Sequence, residues 1–149
     1  MQLSTHTDYS LRVLIYLALQ KDKEPVTVQT LAERYAVSAN HIAKVGQTLT
    51  QLGYVNSLRG RSGGLVLAMP AAQINVGQVV REVENLKLLE CFGSQSNCQI
   101  ESACRLKSVL YRALQAFLTV LDEYTLADLV VQPAALQQLL SKSRKASYL

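Results

Sequence analysis

Near the start of the chain, apolar residues recur at helical spacing, at Leu11, Leu14, Ile15 and Ala18. Thr5 or Thr7 can cap this segment and Asp8 falls in its first turn, which predicts a first helix that ends in the charged stretch "KDKEP" before Pro25. The next thirty or so positions divide into two short helices. Thr27 is placed to cap one carrying Leu31, Ala32 and Tyr35, and Ser38 to cap a longer one carrying Ile42, Val45, Leu49 and Leu52, which Gly53 ends. The link "AVS" is a tight turn, so the pair reads as a helix-turn-helix. After Gly53 the period switches to that of a strand. "YVNSL" and "LVLAMP" flank "RGRSGG", which predicts a β-hairpin with a glycine-rich, doubly basic tip. A helix-turn-helix followed directly by such a hairpin is a winged helix.

Val76, Val79, Val80 and Val83 mark one face of a further short helix capped by Asn75. Beyond residue 104 a longer stripe follows: Leu106, Val109, Leu110, Ala113, Leu114, Phe117, Leu118 and Leu121. It runs for about five turns, or about 30 Å, more apolar surface than a small head can cover. Pairing with its copy in a homodimer accounts for it; a core helix within one chain is the alternative. "TLADLV" restarts with a Thr-x-x-Asp capping box, and "SKSRKASYL" reads as a basic tail. The expected fold is mainly α with a small β-hairpin wing. Its divisions are a winged-helix DNA-binding domain over 1–84 (helix-turn-helix about 27–53, wing about 54–70), a cysteine loop over 85–104, a dimerisation helix and short helix over 105–131, and a flexible tail over 132–149.

Composition narrows the picture. With 49% hydrophobic and 17% charged residues, no tryptophan and two phenylalanines, the chain can fold around an aliphatic core. Its longest apolar run, "VLIYLAL", is far short of the roughly 20 residues that span a bilayer, so a cytoplasmic protein without membrane contact is expected. The net charge of +4 is unevenly spread. No Asp or Glu occurs between Glu33 and Glu82, a window holding Lys44, Arg59, Arg61 and Arg81, and a field of one sign attracts polyanions. The partner expected is double-stranded DNA. Ser38, Asn40, His41 and Lys44 open the second helix of the helix-turn-helix, where side chains reach base edges and phosphates. Arg59 and Arg61, on a thin hairpin tip, suit a narrow minor groove. Two such heads in a dimer would read a near-palindromic operator.

All three cysteines fall in "ECFGSQSNCQIESAC", as C-x6-C-x5-C among polar and small residues. Buried structural cysteines would have apolar neighbours, and an odd number of close thiols suits metal or redox chemistry in a reducing compartment. The local C-x2-4-C pair typical of structural zinc is missing, and His6 and His41 are distant in sequence. Iron–sulfur clusters tolerate wider loops, and three thiolates leave a position for a ligand from elsewhere. Two rivals remain at this point: a regulator switched by thiol oxidation or responsive to iron–sulfur status, and a small iron–sulfur electron carrier. An enzyme has little support, since no nucleotide-binding glycine motif is present and neither histidine adjoins a cysteine in sequence.

Taken together, "DYSLRVLIYLA", "VSANHIAKVGQTLTQLGYV", "RGRSGGLVLAMP", "VGQVVREVE", the three-cysteine loop, "ACRLKSVL" and "FLTVLDEYTLADLV" resemble the NsrR-type repressors of the NsrR/IscR group. The resemblance spans roughly residues 1 to 131. It implies a dimeric winged-helix repressor that holds an iron–sulfur cluster, 4Fe-4S with 2Fe-2S as the alternative, and releases nitric oxide detoxification genes when nitric oxide reacts with that cluster. Carried over by position, the cluster thiolates are Cys91, Cys98 and Cys104, and the oxygen ligand is Asp8 of the partner chain. Arg12, one turn on, either pairs with Asp8 or touches a phosphate near the cluster. Lys107 stands where IscR-like relatives have a ligand histidine, which argues against that ligation. The six residues between Cys91 and Cys98 exceed the usual five by one, a small change in closure entropy for a polar loop.

Overall fold

The computed structural model describes residues 1–142. Helix α1 (Thr5–Ala18) is capped by Ser4, whose hydroxyl accepts from the Thr7 N–H at 3.2 Å, so the cap precedes the two threonines expected in that role. Its buried face, Val13, Leu14 and Leu17, lies at the centre of the main core. α2 (Val28–Tyr35) is capped by Thr27 as expected and stops at Ala36, which adopts left-handed backbone at φ 53°. α3 (Ala39–Gln51) then presents Ile42, Val45 and Leu49 to α1 and α2. Strands β1 (Val55–Leu58) and β2 (Gly64–Leu67) form the antiparallel wing, with Val55 opposite Leu67 and Leu58 opposite Gly64.

The wing is fastened to the chain ahead of α2. The Val26 N–H donates to the Leu65 carbonyl at 3.0 Å, and the Leu65 N–H returns a bond to Val26 at 2.8 Å. Gly64 makes this possible. Its φ is +154°, and a Cβ there would lie 2.6 Å from the Val26 carbonyl carbon, so a side chain would push the two segments apart.

α4 (Val76–Val83) is capped by Asn75. It crosses α5 (Arg105–Asp122) closely at Gly77, where a Cβ would collide with the Asp122 carboxylate. Arg81 of α4 forms a two-pronged ion pair with that same carboxylate. The expected capping box of Thr125 and Asp128 forms and opens a short 3-10 turn, Leu126–Val130, that buries Leu126 in the main core.

Two expectations are altered. The stripe on α5 is two stripes: Leu114 and Leu118 are buried against Val80, with Leu110, Phe117 and Leu121 partly covered. Leu106, Val109, Ala113, Ala116 and Val120 form a separate exposed ladder at alternating spacings of three and four. The intrachain reading applies to the first face, and the second is left uncovered by the described residues. Second, residues Pro133–Ser141, placed in a flexible tail, form α6 with proline at its start. It docks through Gln137, which donates to the Leu19 carbonyl at 2.9 Å, and through Arg34 of α2, which donates to the Ser141 carbonyl at 3.1 Å. Sequence reading overlooked nine residues with a Pro start signal because the basic end dominated them. The last seven positions lie outside the described residues.

Candidate functional site

The exposed face of α3 begins at Ser38. Although Ser38 is the N-cap residue, its hydroxyl makes no capping bond and stays exposed, as do Asn40, His41 and Lys44. Period 3.6 carries that face on to Gln47 and Gln51, which sequence reading did not single out. Extending the helical spacing from Asn40 would have found them. Arg59 and Arg61 are exposed at the wing tip, where Gly60 (φ +105°) turns the chain. Lys44, Arg59 and Arg61 make no ion pair among the described residues, whereas Arg81 is neutralised by Asp122. With Arg34 of α2 turned to the Ser141 carbonyl, the basic window reduces to three exposed cations, Lys44 on α3 and Arg59 and Arg61 on the wing.

The first turns of α1 lean along α3. His6 shares a hydrogen bond with Thr48 at 3.1 Å, and the Tyr9 ring lies 6.1 Å from that of His41. Asp8 and Arg12 form a bidentate ion pair, both contacts 2.9 Å, that deepens the guanidinium's preference for its charged form. The Arg12 head lies 5.9 Å from the ring centres of both Tyr9 and Tyr35. Burial raises the Tyr35 phenol, which remains a donor to the Arg12 carbonyl at 2.7 Å. At the other end of this network the Ser4 N–H donates to Glu84 at 2.7 Å, which joins α1 to the root of the cysteine loop. Burial works against ionisation of Glu84, but the bonds it accepts from Ser4 and Thr7 hold it below its ordinary value.

The loop itself has little regular structure beyond two 3-10 turns, Glu90–Phe92 and Glu101–Ala103. Cys91 is buried, Cys104 half-buried and Cys98 exposed. Cys91 and Cys104 line one cleft of about 540 Å³ with Phe92 and Gly93 of the loop and Lys107, Ser108, Tyr111 and Arg112 of α5. Lys107 is paired with Glu101, which raises its affinity for a proton, and the two cysteines lie near enough to reinforce that preference. The structure thus brings two of the three sequence-predicted thiols together. Cys98 is not among the cleft residues, and Asp8 sits on α1 with Arg12. No three Cys, His, Asp or Glu side chains converge on one point among the described residues.

The donor set still suits an iron–sulfur cluster. Thiols are soft ligands, the cleft that two of them share is roomy, and Lys107 and Arg112 offer positive charge beside a group that thiolate ligation makes negative. Cys98 itself is exposed, at the end of the polar segment "GSQSNC".

Residues 3–132 match the profile of the Rrf2 family, described as an iron-dependent transcriptional regulator. Over 142 residues the chain is 48% identical to the HTH-type transcriptional regulator NsrR of Bacillus subtilis, covering 94% of this chain and 97% of that one. It is 47% identical to the protein of the same name from Shouchella clausii, covering 94% and 95%. Among solved structures, T. potens IscR superposes with a TM-score of 0.70 at 29% identity over 87% of this chain and 86% of that one. CymR, the global cysteine regulator of B. subtilis, gives 0.67 at 25% identity over 87% and 95%. These relatives carry the winged-helix fold expected from the sequence, and their names are those of regulators, not enzymes or electron carriers. Within the described residues no helix is long and apolar enough to cross a membrane.

Proposed function

Because this chain belongs to the Rrf2 family of transcriptional regulators, we propose that it is a homodimeric repressor whose hold on DNA depends on an iron–sulfur cluster and is released by nitric oxide. The observation that carries this reading is the placement of the cysteine cleft. Lys107, Ser108, Tyr111 and Arg112, which complete it, belong to the same helix that bears the uncovered ladder Leu106, Val109, Ala113, Ala116 and Val120. A group bound there adjoins the surface through which two chains would pair.

In this reading residues 1–84 form the DNA-binding head, 85–104 the cluster loop and 105–131 the dimerisation segment. Cys91, Cys98 and Cys104 hold a 4Fe-4S cluster, and Asp8 from the partner subunit supplies an oxygen ligand. When bound, the cluster supplies iron that reacts with nitric oxide. The protein's part is mechanical. Asp8 stands one residue before Tyr9, which touches His41, and two after His6, which is bonded to Thr48. A pull on the first turn of α1 is therefore felt at the recognition helix, and Arg12 is the group that takes up Asp8 when no other cation holds it. Ser38, Asn40, His41 and Lys44 face the major groove, and Arg59 and Arg61 the minor groove, of each half of a near-palindromic operator. Half-site register is a matter of ångströms, so a small rotation of one head costs the second half-site.

Anaerobic protein titrated with nitric oxide, followed by visible absorbance and by operator binding, tests the proposal. Loss of the chromophore should coincide with loss of affinity, and unchanged affinity after the chromophore is gone would refute it. A thiol switch is the second reading, favoured by the sharing of one cleft by Cys91 and Cys104. It requires colourless protein, free of iron and sulfide, that binds its operator in a redox-dependent way.

A further inference from the structure

The two DNA-reading elements leave a trough between them. α3 and β1 enclose a cleft of about 330 Å³ with Val28, Ala43, Gly46 and Leu65 among its lining residues. Its depth depends on Gly46, where a Cβ would lie 3.0 Å from a Leu65 methyl, so the bare backbone lets the hairpin lie against the helix. No charged side chain lines the trough. The Thr50 hydroxyl is committed to the Gly46 carbonyl at 2.7 Å. Gln47, Gln51 and Ser57 complete the lining; each is exposed, and their side chains make no hydrogen bond among the described residues.

We propose that this trough cradles a DNA phosphodiester, the one on the sugar-phosphate ridge that separates the major groove occupied by α3 from the minor groove entered by Arg59 and Arg61. The inference rests on the DNA-binding reading above and adds a ligand site to it. Its basis is topographic: a ridge of backbone stands between any major groove and the minor groove beside it. A protein with a helix in one and a hairpin tip in the other must straddle that ridge, and the trough runs between those two elements. Side-chain amides and hydroxyls are donors of the kind that bind phosphate oxygens and fix a protein's register on the duplex. Being neutral, they displace no counterions, so the cradle positions the head without adding to the salt dependence set by Lys44, Arg59 and Arg61.

The test uses the full-length protein and a duplex it has selected from a random pool, carrying a methylphosphonate at one position at a time. In each half-site, one substitution on the ridge should weaken wild-type binding about 2- to 10-fold, the range of a neutral hydrogen bond. The same substitution should have a smaller effect on the Gln47→Ala/Gln51→Ala double variant and on Ser57→Ala, each of which has already given up part of the donor set. Both variants should weaken binding to all single-base operator variants alike and keep the wild-type salt slope, with unchanged thermal melting. A double variant that loses discrimination at one base pair would make these residues base readers and overturn the cradle. So would a scan in which every sensitive phosphate stays equally sensitive in the variants. Failure of the wild-type protein to select any duplex would instead sink the DNA-binding reading, and the cradle with it.

Discussion

Val109→Glu is the substitution that separates pairing of chains from folding of one. Leu106, Val109 and Val120 on the outer ladder of α5 are 56, 55 and 54% exposed. Full burial of such a side chain is worth about 1.5–3 kcal/mol, so each has about 1 kcal/mol still to gain in a dimer. In a two-fold interface every change counts twice. Replacing Val109 forfeits about 2 kcal/mol and also asks two carboxylates to leave water, which raises the dimer dissociation constant by at least about 30-fold. Sedimentation velocity over a concentration series should give a dimer for the wild type and a monomer for the variant. The circular dichroism spectrum should persist, because Val109 is not part of either buried cluster, and the melting midpoint should cease to rise with protein concentration. Affinity for a full operator should drop by about 10²–10⁴ towards that of a half-site as the linked second contact is lost. A variant that sediments as the wild type does would refute the ladder as the seam, and one that unfolds would show that this face belongs to the chain's own core.

Arg59→Ala should lower operator affinity and reduce the slope of log K against log salt by about 2 per dimer, since each protomer gives up one contact worth about 0.9; an unchanged slope would take the wing out of the DNA contact. Gly77→Ala should cost about 1–3 kcal/mol by driving a methyl into Asp122, visible as a melting midpoint several degrees lower. The hydrogen-bonded Arg81 guanidinium holds the Asp122 carboxyl below its ordinary value. A carboxyl lowered in the native state stabilises above its ordinary pKa and loses that effect as pH falls through the native one. Wild type should therefore outmelt Asp122→Asn at pH 7, and the gap should close as the pH falls through the lowered native value; a gap that persists in stronger acid would place the stabilisation elsewhere.

The head was legible because local signals there agree. Caps at Thr27 and Asn75, the stop at Gly53, and the change of period at residue 54 each mark one boundary and leave no competing register. The face of α3 was legible only as far as its first turn, since polarity flags Asn40 and Lys44, whereas Gln47 gains meaning from a wing that folds back beside it. α5 was read as one stripe because apolar residues at both three- and four-residue spacings satisfy the helical period, and only packing against Val80 shows which of them the chain keeps for itself. Arg81 looked like part of a basic field because its neutralising partner lies 41 residues away. The cysteine spacing marked candidate donors and their loop; it could not show that Cys91 and Cys104 share a cleft that Cys98 does not line, which depends on where two single-turn helices set the chain.

The reciprocal pair of hydrogen bonds between Val26 and Leu65, with bare glycine at position 64, gives the head the character of a calliper. One jaw is α3, the other is the wing, and backbone hydrogen bonds rivet the wing to Val26, just ahead of the α2 that packs against α3. A calliper that cannot open responds to the width of what it grips. Duplexes differ in the distance from a major groove to the neighbouring minor groove, and narrowing or twisting a segment to fit fixed jaws costs energy that depends on its sequence. Some of the operator's information would then reside in base pairs that no side chain touches, read as stiffness.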